Sequence, residues 1–226
     1  MLKTLTIIAA GAALLSNGLW AQEDRPDHRL QTAAEVFHDM MSAPDRGIPR
    51  DLLEKAQCVV IVPGLKKAAF IVGGDYGKGY AVCRHDGGWT GPASITVGGG
   101  SFGAQIGVES TDLILLVMHR RGLDALLHDK FEIGGNISAA AGPVGRQVAA
   151  ETNITMKAEI LAWARAHGVY AGVSVNGMVV KKDGGEDVKL YGHEESNRAI
   201  LSGRVPAPAV ASILTNELDH FPKERS

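Results

Sequence analysis

The sequence predicts a single α+β domain, with an antiparallel, glycine-rich, barrel-like sheet flanked by N- and C-terminal helices. Three observations predict it. Helical apolar periodicity is confined to the two ends, around 28–41 and 208–220. Many short β-branched runs, cut by glycine-rich turns, lie between those ends. Glycine reaches 28 of 226 residues while aromatics make up only 5%, a balance that favours tight turns and closely approaching strands over a helical bundle.

Taken in order, residues 1–21 read as a secretory signal peptide. Lys3 supplies the positive end, 5–15 is apolar, and Leu19-Trp20-Ala21 offers a cleavage site after Ala21. The run falls short of the ~20 residues that span a bilayer, so export is favoured over an uncleaved anchor. Residues 22–27 are a polar lead-in, and the domain occupies 28–226. In its first helix Leu30, Ala33, Ala34, Phe37, Met40 and Met41 recur at three- and four-residue spacing, one apolar stripe. Ala43-Pro44 ends it, and a short helix follows at 49–56.

Strands are expected at 58–62, 68–73 and 79–84, separated by turns at Pro63-Gly64 and 73–78. More are expected at 89–97, 101–109 and 112–119. A short helix fits 121–128, and a Gly/Ala-rich section covers 134–150. Residues 158–167 have helical propensity and 169–175 are strand-like. Asn176-Gly177 between valines is the strongest hairpin signal in the chain. Residues 183–187 read as a polar loop, and the tail returns to helix at 194–201 and 208–220.

Removing 1–21 takes away Lys3 and no acid, leaving 22 basic against 25 acidic residues, a net −3. That balance excludes a nucleic-acid binder and requires a local patch for any anionic partner. Cys58 and Cys83 are the only cysteines. Two readings stay open. They form a disulfide closing 25 positions, worth about 3 kcal/mol, or they are two buried free thiols.

The motifs that would carry catalysis fail on spacing. Gly99-Gly100-Ser101-Phe102-Gly103 spells the nucleophile elbow, but no helical stripe follows Ser101, and Asp112 and His119 crowd it. A bland glycine-rich strand is the better reading; a Ser101-dependent hydrolase is the remote one. Around Gly77-Lys78, Val72 and Gly79 stand where a phosphate loop needs glycine and Ser/Thr. His193-Glu194 lacks the second histidine of a zinc site, since Asn197 occupies its place. The chain therefore reads as non-enzymatic, with no metal and no cofactor.

Several stretches together carry a family resemblance: AQCVVIVP at 56–63, KKAAFIVGG at 66–74, YGKG at 76–79 and WTGPA at 89–93. SFGAQIG at 101–107, AGPVG at 141–145, GVYAGV at 168–173 and LYG at 190–192 complete it. In order and spacing, across about 34–203, the chain resembles the SYLF domain family, also called the yeast actin-patch lipid-binding family. The resemblance implies phospholipid binding, notably of phosphoinositides, by eukaryotic members. It implies actin binding by the yeast ones. Bacterial members are usually exported.

Eukaryotic relatives are thought to use a basic amphipathic N-terminal helix on membranes. Here 23–39 carries Arg25 and Arg29 against Glu23, Asp24, Asp27, Glu35 and Asp39, so it is amphipathic but not cationic. The expected protein is an exported, periplasmic or extracellular phospholipid-binding domain, with an envelope protein as the alternative partner. An exported chain does not meet actin.

The candidate lipid contacts are Lys66 and Lys67, placed in a turn between strands, and Lys78 in the next glycine-rich turn. They form a basic rim if those turns share one end of the sheet; otherwise they are solvated turn lysines. The stripe Leu30-Phe37-Met41 either enters a lipid interface or packs on the sheet. The Gly/Ala section at 138–145 either lines an apolar groove or packs tightly in the sheet.

Overall fold

The computed structural model describes residues 25–43, 47–135, 137–144 and 157–221, with backbone alone for 68–72 and 101–108. Residues 1–21, the expected signal peptide, and most of the lead-in lie outside them, as does the Gly/Ala section beyond Val144. Helix α1 is Pro26–Ser42. Pro26 opens it with a preset φ, and Asp27 in the first turn complements the helix dipole. Ala43, ahead of Pro44, is already extended, with φ −66° and ψ 117°, as a residue before proline tends to be. Helix α2 is Arg50–Lys55.

The centre of the molecule departs from the expected succession of short strands. One strand, β1, runs Cys58–His85. After the two-residue β2, Gly88–Trp89, a second long strand, β3, runs Ala93–Val117. They pair antiparallel from Cys58↔Val117 to Ala81↔Ala93. Pro63-Gly64 is a bulge and not a turn. The register slips there between Val62 and Leu65, and Gly64 takes φ +57°, which accommodates a proline that cannot donate to the ladder. The glycines at 73–79 are strand residues, paired with 95–101.

The ribbon folds back on itself. A straight strand would separate positions 58 and 83 by about 80 Å, yet their Cα atoms are 4.0 Å apart and a disulfide joins them. Arg84 N–H donates to the Gln57 carbonyl at 2.8 Å. Side chains cannot fit everywhere along this seam. A Cβ on Gly79 would sit 2.1 Å from the Ile61 carbonyl oxygen, and one on Gly77 would sit 2.7 Å from Val62.

The remaining elements extend this ribbon into a curled sheet. Helix α3 (Arg120–Leu126) precedes β4 (Lys130–Glu132) and β5 (Ala139–Ala141). Strand β6 (Ile160–Ala166) occupies the segment expected as helix. Its first five residues are all buried between β3 on one side and β5 and β7 on the other. Burial on both faces overrides helical propensity there. Strand β7 (Val169–Gly172) returns through His167-Gly168, both with positive φ, a primed hairpin turn. Strand β8 is Val179–Lys182.

The β5–β6 pair is parallel, so the sheet is mixed and not antiparallel throughout. A long connection between the two strands permits that. Gly177 does take a turn conformation, φ +84°, but the expected hairpin is absent. β7 pairs with β6, whereas β8 pairs with β3 and β4.

The expected loop at 183–187 begins a helix, α4 (Gly184–Tyr191). Asp183 caps it by accepting from Glu186 N–H at 3.3 Å, and Gly192 closes it in the left-handed conformation. Helix α5 (Asn197–Leu201) is capped by Ser196. After a 3₁₀ turn at Ala209–Ala211, helix α6 (Ser212–His220) packs on α1.

Alternation along β1 serves two cores. Val59, Ile61, Tyr80 and Val82 face α1, α2 and α6. Cys58, Val60, Val62, Ala81 and Cys83 face the inside of the curl, against Ile95, Val97, Leu113, Leu115 and Val180. A strand apolar on both faces reads in the sequence as an unbroken apolar run.

Candidate functional site

A cleft of about 400 Å³ opens where α1, the folded ribbon and the start of α4 meet. Its walls are His28, Arg29 and Thr32 of α1, Pro63, Gly64, Lys66 and Lys78–Tyr80 of β1, Ser94, Ile95 and Asp112 of β3, and Asp183 and Glu186 at α4. The fold-back makes it, because it brings positions 66 and 78 of one strand to the same opening.

Charges are paired across elements within it. Glu186 binds Arg29 at 2.8 Å, Lys78 at 3.2 Å and Lys189 at 3.1 Å. Lys78 also reaches Asp183 at 3.1 Å. Burial works against the Lys78 ammonium, but its two carboxylate partners outweigh that and hold its pKa above the ordinary lysine value. Burial pushes the Glu186 carboxyl up, and Lys189, Lys78 and Arg29 outweigh it, so the group stays below the ordinary glutamate value. Asp112 is consumed elsewhere. It accepts from Gly64 N–H at 2.8 Å and from Arg165 at 2.7 Å, and Arg165 also bonds Asp39 of α1.

Lys66 differs from these. It is exposed, and its one side-chain partner among the described residues is Ser110 Oγ, at 3.4 Å. Behind the cleft lies Asp187, fully buried. Its Oδ1 accepts from Ser94 N–H at 2.7 Å, and its Oδ2 has no hydrogen-bond partner among the described residues. Burial pushes its carboxyl up to about 6, against the N–H and the hydroxyl of Ser94 and the charge of Lys182.

The sequence-predicted residues divide. Lys66 and Lys78 meet at the cleft, but as strand residues and not in turns. Lys67 does not line it, as alternation along a strand requires. Leu30, Phe37 and Met41 are buried in the core, leaving no apolar face of α1 for a lipid interface in this conformation. Cys58 and Cys83 are disulfide-bonded. Ser101 lies mid-strand in register with Gly73, with no helix after it, so the backbone lacks the strand–turn–helix of a nucleophile elbow. Among the described residues no cluster of His, Cys, Asp and Glu is placed to hold a metal ion.

Arg29 read in the sequence only as one charge of a helix, and Asp183, Glu186 and Asp187 only as part of a solvated polar loop. The Asp183 cap, with an apolar residue two places beyond Glu186, was the available signal for a helix and hence for their burial.

The arrangement is a polar binding cleft on a mixed sheet. A family model described as "Ysc84: Las17-binding protein actin regulator" matches residues 98–221. LAS seventeen-binding protein 3 of Saccharomyces cerevisiae is 34% identical over 183 residues, 79% of this chain and 40% of that protein. The chain belongs to the Ysc84, or SYLF, family. Human SH3 domain-containing YSC84-like protein 1 is 31% identical over 182 residues, 80% of this chain and 53% of its own length. Protein YSC84 of yeast is 33% identical over 179 residues, with 77% and 38% covered. This SYLF chain therefore spans about half or less of the relatives it matches.

Proposed function

We propose that this SYLF domain is a non-enzymatic phospholipid-binding module that docks an anionic head group at the cleft. The observation carrying this reading is the convergence of Arg29, Lys66 and Lys78 on one opening, with Lys66 exposed and lightly tethered. A volume of about 400 Å³ suits a head group. Each basic residue near an anionic surface contributes ~1 kcal/mol, so binding is weak and sensitive to salt.

The disulfide supports a periplasmic or extracellular location, because such bonds persist in oxidising compartments. Co-sedimentation of the exported protein with phosphatidylcholine vesicles, with and without phosphatidylglycerol, tests the reading. Binding to the anionic vesicles, lost at high salt and weakened about tenfold or more by Lys66→Glu, is expected. No binding to either vesicle overturns it.

A second reading has its own support. The relatives' printed names describe a protein ligand, as in LAS seventeen-binding protein 3. On that reading the domain docks an envelope protein, and capture survives high salt without lipid.

A further inference from the structure

Directly behind the charged walls of the cleft stands a carboxylate with no ion-pair partner in contact among the described residues. Asp187 is fully buried, follows Glu186 in the chain, and shares Ser94 with the cleft lining. Its Oδ1 is held by one backbone N–H and its Oδ2 by nothing among the described residues. The nearby carboxylates differ from it. Glu186 has three cationic partners, and Asp112 has Arg165 and the Gly64 amide.

The groups facing Asp187 come from every neighbouring element. Lys182 of β8 attracts it, while Asp183 at the head of its own helix repels it. Tyr80 of β1 and Tyr191 of α4 are neutral neighbours, both with the phenol pushed upward by burial first and by Asp187 itself among the lesser causes. Arg29 and Lys78 are engaged by Glu186 and Asp183. Lys182 is itself shared with Glu194, at 3.3 Å. The negative charge on Asp187 is therefore offset only by Ser94 and by Lys182, in a low-dielectric wall where its field reaches the cleft little screened.

We infer that head-group binding in this cleft is proton-coupled: protonation of Asp187 removes the negative charge behind the cleft and strengthens the hold on an anion. Asp187 then acts as a positioning residue for the field and not as a ligand. The raised titration point of the carboxyl, about 6, puts the change within reach of mild acidification. This inference rests on the lipid-binding reading of the same cleft.

The test uses vesicles of phosphatidylcholine with phosphatidylglycerol, whose charge is constant between pH 5 and 7.5, and wild-type, Asp187→Asn and His28→Gln proteins. Asp187→Asn is expected to bind several-fold more tightly than wild type at pH 7.5 and equally at pH 5. His28→Gln is expected to keep a binding transition near pH 6, which separates Asp187 from the histidine at the cleft mouth. Should Asp187→Asn fail to fold, the transition in His28→Gln still decides the matter. Binding that shows the same pH response in Asp187→Asn as in wild type, or no transition in His28→Gln, overturns the proton coupling alone. Absence of vesicle binding at every pH overturns the lipid reading and the coupling with it.

Discussion

The seam of the folded ribbon and the cleft beside it are built from the same strand, yet they hold together by opposite means. At the seam, backbone meets backbone. Gly77 and Gly79 leave room for Val62 and the Ile61 carbonyl, the disulfide ties Cys58 to Cys83, and the residues around it are buried. At the cleft a few residues away, Lys78 spans to α4 through Asp183 and Glu186, and Arg29 brings in α1. The seam leaves no free volume, so adding an atom disrupts it. The cleft is held by ion pairs that a ligand can rearrange, and Lys66 at its mouth is exposed, so removing that charge changes binding more than folding. Exposed charges of this kind contribute little to stability.

The largest effect expected from breaking that contrast is at the seam. An alanine at position 79 places its Cβ 2.1 Å from the Ile61 oxygen and 2.9 Å from the Val62 Cα, and both are backbone atoms that cannot rotate away. Gly79→Ala should lower unfolding stability by at least about 3 kcal/mol. Gly88→Ala is the control. Its nearest neighbour would be the His85 oxygen at 4.0 Å, and its effect should stay within about 0.5 kcal/mol. Urea denaturation of both variants decides the point. Equal stabilities would show that the strand ends do not approach this closely.

Next in size is the disulfide. Closing a 25-residue separation restricts the unfolded chain, and its loss should reduce stability by about 3 kcal/mol. Cys58→Ser/Cys83→Ser, compared with wild type with and without reductant, measures it. A variant as stable as the oxidised protein would mean that hydrogen bonding and packing close the seam unaided. The two sulfurs sit within the curl, so a polar serine there adds a further small penalty that reduced wild type lacks.

Much of the scaffold was legible before the structure. The α1 stripe and the apolar run at 58–62 both mark buried faces, and α1 does bury Leu30, Phe37 and Met40. Asp86 and Gly87 take positive φ at the turn between β1 and β2. The misread glycines are 73, 74, 77 and 79, none of which takes positive φ. Gly77 and Gly79 are there for close approach, and a turn and a tight strand contact select the same residue. Residues 158–167 misled for a related reason, since alanine and leucine favour helix until a sheet buries them on both sides. At the site, Lys66 and Lys78 could be named from their chemistry. Their partners could not, because Arg29 and Glu186 are 157 positions apart and meet only after the ribbon folds.

The smallest effect, and the one that sharpens the comparison most, concerns Asp187 and stability. Burial pushes its carboxyl up to about 6 in the folded protein, against about 3.9 when unfolded. Between those values the folded state binds more protons than the unfolded state, so stability falls as pH rises from about 4 to 6. Below that window the group is protonated in both states and imposes no penalty. Above it the full penalty applies, on the order of 2–3 kcal/mol for about two pKa units.

Asp187→Asn removes the charge while its Oδ1 still accepts the Ser94 N–H. Its new amide donor, however, sits where Oδ2 has no partner, a cost of about 1–2 kcal/mol. The net expectation is a variant about 1 kcal/mol more stable than wild type at pH 7.5 and less stable at pH 4. The other titrating groups affect both proteins alike and cancel in the difference. Urea-derived stabilities at pH 4, 5, 6 and 7.5 should therefore cross. Parallel curves would mean that Asp187 is as well compensated as Glu186, and that the wall behind the cleft carries no unbalanced charge.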